Sequence, residues 1–170
     1  MNRHVIRFPD KGLDADTMLA ELKGHRSDDA SWRNGRMFGY IYHPGNREAK
    51  AIEQAYQLFL NENALNPSLF SSLRRLENET VAMVADLLHA GDRYAGNLTT
   101  GGSESILVAV KTERDWARKH KHGIREPEII APVTTHPAFS KAADMTGVRA
   151  RYAPVNEDKR VDVAEVEKLI

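Results

Sequence analysis

A turn rich in glycine and hydroxyl groups, residues 99–105, stands directly before a helical segment. Gly101 and Gly102 let the backbone approach an anion closely, and the first amides of a helix are unpaired donors under a favourable dipole. A phosphate group would fit such a turn. A tight bend in which Ser103 only caps the helix explains the same residues. The turn lacks the Gly-Lys-Ser/Thr of nucleotide P-loops and the three-glycine spacing of a dinucleotide fingerprint.

A histidine, His136, follows the short apolar segment 128–131 and precedes Pro137. If that segment is a parallel strand, His136 lies beyond its carboxyl end, where α/β folds bind ligands. An imidazole at this position can stack on a flat heteroaromatic ring or transfer a proton. A structural histidine that caps its own helix is an equally good interpretation.

A loop bounded by Gly39 and Gly45 carries Tyr40, Tyr42 and His43. Glycines at both ends are typical of a loop, and a phenol hydroxyl is a possible ligand for a substrate phosphate. Tyrosines in such loops more often pack against their neighbours. The sequence therefore leaves a binding role and a packing role open here.

The elements that must position these residues follow from apolar periodicity and from helix-breaking residues. Asn46 is predicted to cap one helix, Pro67 to start the next and Gly91 to end it, while Asp162 and Glu165 have capping-box spacing. Helices are predicted over residues 14–23, 46–61, 67–89, 103–121 and 136–145, the last ending at Gly147, and from 162 onward. Strands are predicted over residues 128–131 and 148–155.

Strands that alternate with helices indicate an α/β fold with a parallel sheet. The predicted segments are an N-terminal arm with the aromatic loop (1–45), a helical segment (46–95) and an α/β domain (96–170). Two or three strands and an unfinished helix would leave a large apolar face bare. We therefore expect the α/β domain to be incomplete and the chain to be part of a longer protein.

The composition narrows the function class. The chain has 170 residues, 24 Lys and Arg against 24 Asp and Glu, and no cysteine. Balanced charge disfavours nucleic acid as a partner, and the lack of cysteine excludes disulfides, a zinc ribbon and a thiol nucleophile. His120 and His122 lack a third ligand at metal-site spacing, so no metal is predicted. With no signal peptide or membrane-spanning run in the sequence, we expect a cytoplasmic protein.

Several blocks of the sequence together resemble sphingosine-1-phosphate lyases. They are Thr-Thr-Gly-Gly-Ser-Glu-Ser-Ile at 99–106, Ala-Pro-Val-Thr-Thr-His-Pro at 131–137 and Val-Asp-Val at 161–163, with Phe-Gly-Tyr-Ile-Tyr at 38–42 and Asn-Ala-Leu-Asn-Pro-Ser-Leu-Phe at 63–70. Those enzymes belong to the group II decarboxylase and lyase superfamily, which depends on pyridoxal phosphate and has fold type I. The resemblance implies an N-terminal portion of such an enzyme: an arm and helices, then the start of the parallel-sheet large domain.

The resemblance also implies the cofactor contacts. Gly101, Gly102 and Ser103 would hold the phosphate of pyridoxal 5'-phosphate, and His136 would stack on its pyridine ring and act as a catalytic residue. Serine stands where threonine is usual, and it retains the hydroxyl. The family also implies a homodimer.

Three further residues are implied to contact substrate. Tyr42 would face the phosphate of a phosphorylated amino alcohol, with Asn63 and Asn66 nearby. Asn66 stands where the lyases usually have histidine, so it can donate a hydrogen bond to phosphate but has no titrating proton. The implied reaction cleaves a phosphorylated long-chain base to phosphoethanolamine and a fatty aldehyde.

The lysine that holds the cofactor as a Schiff base is implied to come from an Asp-x-His-Lys-like block, and no such block is present. Lys121 follows His120, but it lies at a polar helix end. We therefore expect this chain alone not to be a competent enzyme. Two alternatives remain: a related amino-acid decarboxylase, which would keep Gly102, Ser103 and His136, and an inactive fragment or pseudoenzyme with a dimerisation or regulatory role.

Overall fold

The computed structural model describes residues 7–66 and 68–170, and the chain divides into two compact units between Glu62 and Asn63. The first unit contains helices α1 (Ala15–His25) and α2 (Asn46–Leu58), with two short 3-10 turns between them. The Asp14 carboxylate caps α1 by accepting a hydrogen bond from the Thr17 amide at 2.9 Å. The helix predicted over 14–23 is thereby confirmed.

Helix α2 starts where the sequence predicts, but its cap residue differs. Gly45 is the N-cap, and its carbonyl accepts the first helical bond from the Ala49 amide at 2.9 Å. The predicted asparagine cap is therefore wrong. Asn46 is already the first helical residue, and its side-chain oxygen contacts His43 Nε2 at 3.2 Å.

The described residues of the second unit form four helices and two strands. In chain order they are α3 (Ser71–Leu87), α4 (Gly102–His120), β1 (Glu128–Pro132), α5 (Pro137–Thr146), β2 (Arg149–Ala153) and α6 (Val163–Leu169). The strands pair in parallel, with Glu128 opposite Arg149 and Pro132 opposite Ala153. Helix α5 makes the crossover that a parallel pair requires. The predicted α/β fold with a parallel sheet is confirmed.

The core of the second unit lies between α4, α5 and the sheet. Its buried members are Val110, Ala142, Ala143 and Val148. Alanines on α5 let this helix approach α4 closely, because their side chains occupy little space between the two backbones. Partly buried apolar side chains complete the cluster: Ile106, Leu107, Ile129, Phe139 and Ala150.

Helix α3 begins later than predicted. The Asn66 side-chain oxygen accepts hydrogen bonds from the amides of Ser68 (3.0 Å) and Leu69 (3.3 Å), which forms a turn before the helix starts at Ser71. Asparagine commonly makes such a turn in place of a helix start. Pro67, the predicted start, lies outside the described residues. The helix ends at Leu87, and His89 takes a left-handed conformation with φ 55°.

Helix α6 shows half of the predicted capping box. The Asp162 carboxylate accepts from the amides of Ala164 (3.0 Å) and Glu165 (3.3 Å). The Asp162 amide donates to the Pro154 carbonyl at 3.0 Å, so it is already paired without the Glu165 side chain. The helix start is thus confirmed, with a backbone bond in place of the reciprocal side-chain bond.

Candidate functional site

The glycine turn lies at the start of α4. Gly101 is the N-cap residue, and the first helical bond runs from the Ser105 amide to the Gly101 carbonyl at 3.1 Å. The amides of Gly102, Ser103 and Glu104 precede that bond and have no acceptor within the helix. A Cβ added at Gly101 or Gly102 would meet no atom within 4 Å. The turn therefore combines open space with several backbone donors.

Two side-chain pairs tie the turn together. Glu104 Oε2 accepts from the Thr100 amide at 2.7 Å and from the Thr100 hydroxyl at 2.6 Å. Thr99 Oγ1 lies 2.6 Å from Ser105 Oγ. The hydrogen bond from the Thr100 hydroxyl, followed by that from its amide, lowers the pKa of Glu104 below its ordinary value. Glu104 is thus ionised and engaged with the residue that leads into the glycines.

His136 is the N-cap of α5. Its Nδ1 accepts a hydrogen bond from the Ala138 amide at 3.1 Å, and Pro137 is the first helical residue. This bond fixes the tautomer, since Nδ1 must be unprotonated to accept, and a neutral ring then carries its proton on Nε2. The ring is exposed. The interpretation of His136 as the cap of its own helix is confirmed.

The two helix starts border one cavity. It has a volume of about 290 Å³ and lies between the first turn of α4 and helix α5. Ser103 and Glu104 line it from α4, while Ala138 and Lys141 line it from α5. The structure thus brings the start of α4 and the helix capped by His136 to the border of one cavity, which Lys141 also lines.

Tyr152 and Ser140 flank a second cavity, which lies near the carboxyl ends of the two strands. The Tyr152 hydroxyl and Ser140 Oγ are 2.6 Å apart. With Val133, Thr135 and Pro137 they line a cavity of about 490 Å³, in the connection that leads from β1 into α5. Open space therefore lies on the side of α5 that faces β2 as well as on the side that faces α4.

Comparison with known proteins identifies the family. No family model matches the chain. Sphingosine-1-phosphate lyase of Dictyostelium discoideum is 36% identical over 171 residues, which are 99% of this chain and 32% of that protein. The structure of sphingosine-1-phosphate lyase from Burkholderia pseudomallei matches with a TM-score of 0.86 at 35% identity, over 98% of this chain and 40% of that one. The chain belongs to the sphingosine-1-phosphate lyase family.

The relationship has two limits that matter for function. The chain spans about a third of the length of the curated lyases that it matches. Glutamate decarboxylase of Lactobacillus brevis has a TM-score of 0.74 at 19% identity, over 98% of this chain and 39% of that one, and shows the fold alone. Both structural neighbours are fold-type I enzymes, so the predicted fold class of this lyase-family chain is confirmed.

The phosphate of pyridoxal phosphate fits the glycine turn of this lyase-family chain. Gly101 and Gly102 have no side chain and leave room for the phosphate. The amides of Gly102 and Ser103 can donate hydrogen bonds to its oxygens. Lys141 is a basic residue that lines the adjoining cavity. The Glu104 carboxylate opposes an anion by charge, but it already accepts two bonds from Thr100.

The predicted substrate residues lie in separate parts of the chain. Tyr42 belongs to the first unit and is 98% exposed. Asn63 and Asn66 begin the second unit, where the Asn63 oxygen accepts from the Leu65 amide at 3.1 Å. In both asparagines the side-chain oxygen makes a local turn, so the Nδ2 group is the part that would reach a phosphate. Their roles in substrate binding stay predictions.

Thr100 and Glu104 lie within the turn predicted from the sequence but had no individual role there, and Lys141 was not assigned to the site. A glutamate three residues after a helix cap is a known start signal, and it identifies Glu104 as a group that can bond back to the turn. Lys141 carries no comparable signal, since only the packing of α5 on α4 brings it to the cavity.

Over residues 7–66 and 68–170, no group of three or more His, Asp or Glu side chains is placed to hold a metal. In that same part of the chain no helix is long and apolar enough to cross a bilayer.

Proposed function

We propose that this chain provides the cofactor-phosphate turn of a pyridoxal-phosphate-dependent lyase. The substrate would be a phosphorylated long-chain base of the sphingosine-1-phosphate type, and the products would be phosphoethanolamine and a fatty aldehyde. One observation carries the proposal: the open glycine turn at the start of α4 borders the same cavity as the helix capped by His136. Membership of the lyase family supports the choice of reaction.

In this proposal each side chain has a limited task. Gly101, Gly102 and Ser103 bind the cofactor phosphate through backbone amides and the Ser103 hydroxyl. The His136 ring, oriented by its bond from the Ala138 amide, stacks against the pyridine. Pyridoxal phosphate, when bound, supplies an electron sink for the cleavage between C2 and C3 of the substrate.

Tyr42, Asn63 and Asn66 are proposed to bind the substrate. The exposed Tyr42 hydroxyl and the two asparagine Nδ2 groups are donors, as contacts to a phosphate require.

The lysine of the family's Asp-x-His-Lys-like block is proposed to lie outside residues 1–170. A homodimer and a cytoplasmic location are parts of the same proposal, and sedimentation and cell fractionation test them.

The reaction is tested with the protein expressed from its intact gene. Incubation with pyridoxal phosphate and a long-chain base phosphate should release phosphoethanolamine and aldehyde without carbon dioxide. Carbon dioxide release from a small amino acid would instead establish the decarboxylase alternative, whose fold the glutamate decarboxylase shares. A protein that binds pyridoxal phosphate but releases neither product would support the inactive alternative.

The substrate contact at Asn66 has a test that preserves the turn. Asn66→Asp keeps a side-chain oxygen for the amides of Ser68 and Leu69, but it places a negative charge where the substrate phosphate is proposed to bind. We expect KM for the phosphorylated substrate to rise about tenfold with little change in thermal stability, since a like charge at this contact costs on the order of 1.4 kcal/mol. An unchanged KM would remove Asn66 from the substrate site.

A further inference from the structure

We propose that Glu104 is a positioning residue that holds the glycine turn in its phosphate-binding conformation through Thr100. This inference rests on the proposed function, since it concerns how the same turn meets the cofactor phosphate. Glu104 would not touch the cofactor. It would act on the backbone that does, by fixing Thr100 before Gly101 and Gly102 start the helix.

The geometry shows a clamp of two bonds on one oxygen. Glu104 Oε2 accepts both the amide and the hydroxyl of Thr100, at 2.7 and 2.6 Å. Residues 100 and 104 lie on either side of the two glycines, so the clamp closes a ring that contains both. The Thr99–Ser105 pair, at 2.6 Å, closes a second and wider ring around the same glycines.

A clamp is needed because of the glycines themselves. Glycine loses more conformational entropy on ordering than any other residue, and two adjacent glycines form the most adaptable backbone in the turn. If the turn were ordered only when phosphate binds, that entropy would reduce the affinity. Ordering it in advance through Glu104 and Thr100 removes this cost from the binding step.

The negative charge of Glu104 is expected to weaken phosphate binding, whereas its bonds to Thr100 are expected to strengthen it. A carboxylate close to a phosphate repels it, and Glu104 lines the cavity together with Ser103. Lys141 is a basic residue that lines the same cavity from α5. Positioning and repulsion therefore predict opposite effects of removing Glu104, so one measurement separates them.

The test compares pyridoxal phosphate with pyridoxal, which lacks the phosphate, as ligands of the protein expressed from its intact gene. Glu104→Ala and Thr100→Val should each weaken binding of pyridoxal phosphate about tenfold, because each removes a hydrogen bond that orders the turn before the phosphate binds. Pyridoxal binding should change little. Thr100→Ser, which keeps the hydroxyl, should restore wild-type affinity, and Glu104→Gln, which keeps one acceptor oxygen, should fall between.

Glu113→Ala is the matched control, because it removes a carboxylate from the same helix away from the turn. Tighter binding of pyridoxal phosphate by Glu104→Ala would overturn the inference in favour of repulsion. Equal losses for Glu104→Ala and Glu113→Ala, or for Thr100→Ser and Thr100→Val, would overturn it as a general effect on folding. If the wild-type protein binds pyridoxal phosphate no more tightly than pyridoxal, the proposed function itself fails, which is a different result.

Discussion

At the scale of single residues, His136 has a structural task and a proposed cofactor task that mutation can separate. Asparagine is among the best helix caps, so His136→Asn should keep the cap on α5 while removing the imidazole. His136→Ala should lose both, and the lost cap costs about 1 kcal/mol. We expect both variants to alter the absorbance of bound pyridoxal phosphate, and only His136→Ala to lower the melting temperature.

The two measurements on His136 are independent. Thermal unfolding without cofactor reports the cap, and absorbance with cofactor reports the ring. An unchanged absorbance in His136→Asn would show that the imidazole does not contact the cofactor. The histidine would then be explained entirely by its bond from the Ala138 amide.

The Glu104 carboxyl group makes a pH-dependent contribution whose sign follows from its surroundings. The bonds from Thr100 lower the pKa of Glu104, so the folded turn binds its proton less readily than the unfolded chain. The stabilisation is fully present above the ordinary carboxyl pKa of about 4.3 and is lost as pH falls through the folded value. Lys141 is the basic residue that lines this cavity from α5.

Thr100→Val should raise the pKa of Glu104 towards its ordinary value, because it removes the hydroxyl that contributes most to the shift. Carboxyl-carbon NMR titration of the variant and the wild type measures this directly. The remaining amide bond should keep part of the shift. An identical titration of Glu104 in the two proteins would show that the hydroxyl bond is absent in solution.

At the scale of elements, the local signals of the sequence were sufficient for α5 and insufficient for α3. Pro137 at the first position, His136 before it and the left-handed Gly147 after it all mark the bounds of α5 within the helix's own residues. Two sequence signals overlap before α3: Pro67 favours the start of a helix, and Asn66 favours a turn. The Asn66 side chain forms the turn, and α3 starts at Ser71. The apolar periodicity of the sequence does not indicate this later start.

The candidate site divides in the same way. The sequence indicated the glycine turn and His136, because each stands at the edge of one local element. It did not indicate the cavity, since that depends on the side-by-side packing of α4 and α5 through Ala142 and Ala143. Lys141 reaches the site only through this packing.

Arg114 links α4 to the end of α5 and is therefore a test of that packing. It is 17% exposed; its Nη1 donates to the Thr146 carbonyl at 2.5 Å and its Nε to Asp115 at 2.8 Å. Arg114→Met keeps much of the apolar stem but leaves the partly buried carbonyl without its donor. We expect urea unfolding to show a loss of about 1–3 kcal/mol. Arg118→Met, an exposed position on the same helix, is the control, and equal losses in the two variants would contradict a special role for Arg114.

At the scale of the whole molecule, much apolar surface remains uncovered. Met83, Leu87 and Leu88, at the end of α3, are 66%, 76% and 71% exposed. Exposed apolar surface of this kind commonly marks an interaction site. Together with the share of the lyases that the chain spans, it agrees with the expectation that the cofactor site is completed by residues outside this chain.

A lysine that binds the proposed cofactor covalently would be such a residue. Borohydride reduction of the protein expressed from its intact gene, loaded with pyridoxal phosphate, should fix the cofactor to one lysine, which peptide mass spectrometry then locates. We expect the label outside residues 1–170. Within the chain the competing residue is Lys141, which lines the same cavity as Thr100 and Ser103. Lys141→Arg keeps the charge and cannot form the bond, so labelling should be unchanged in that variant. Label on Lys141, lost in Lys141→Arg, would show instead that this chain carries its own cofactor lysine.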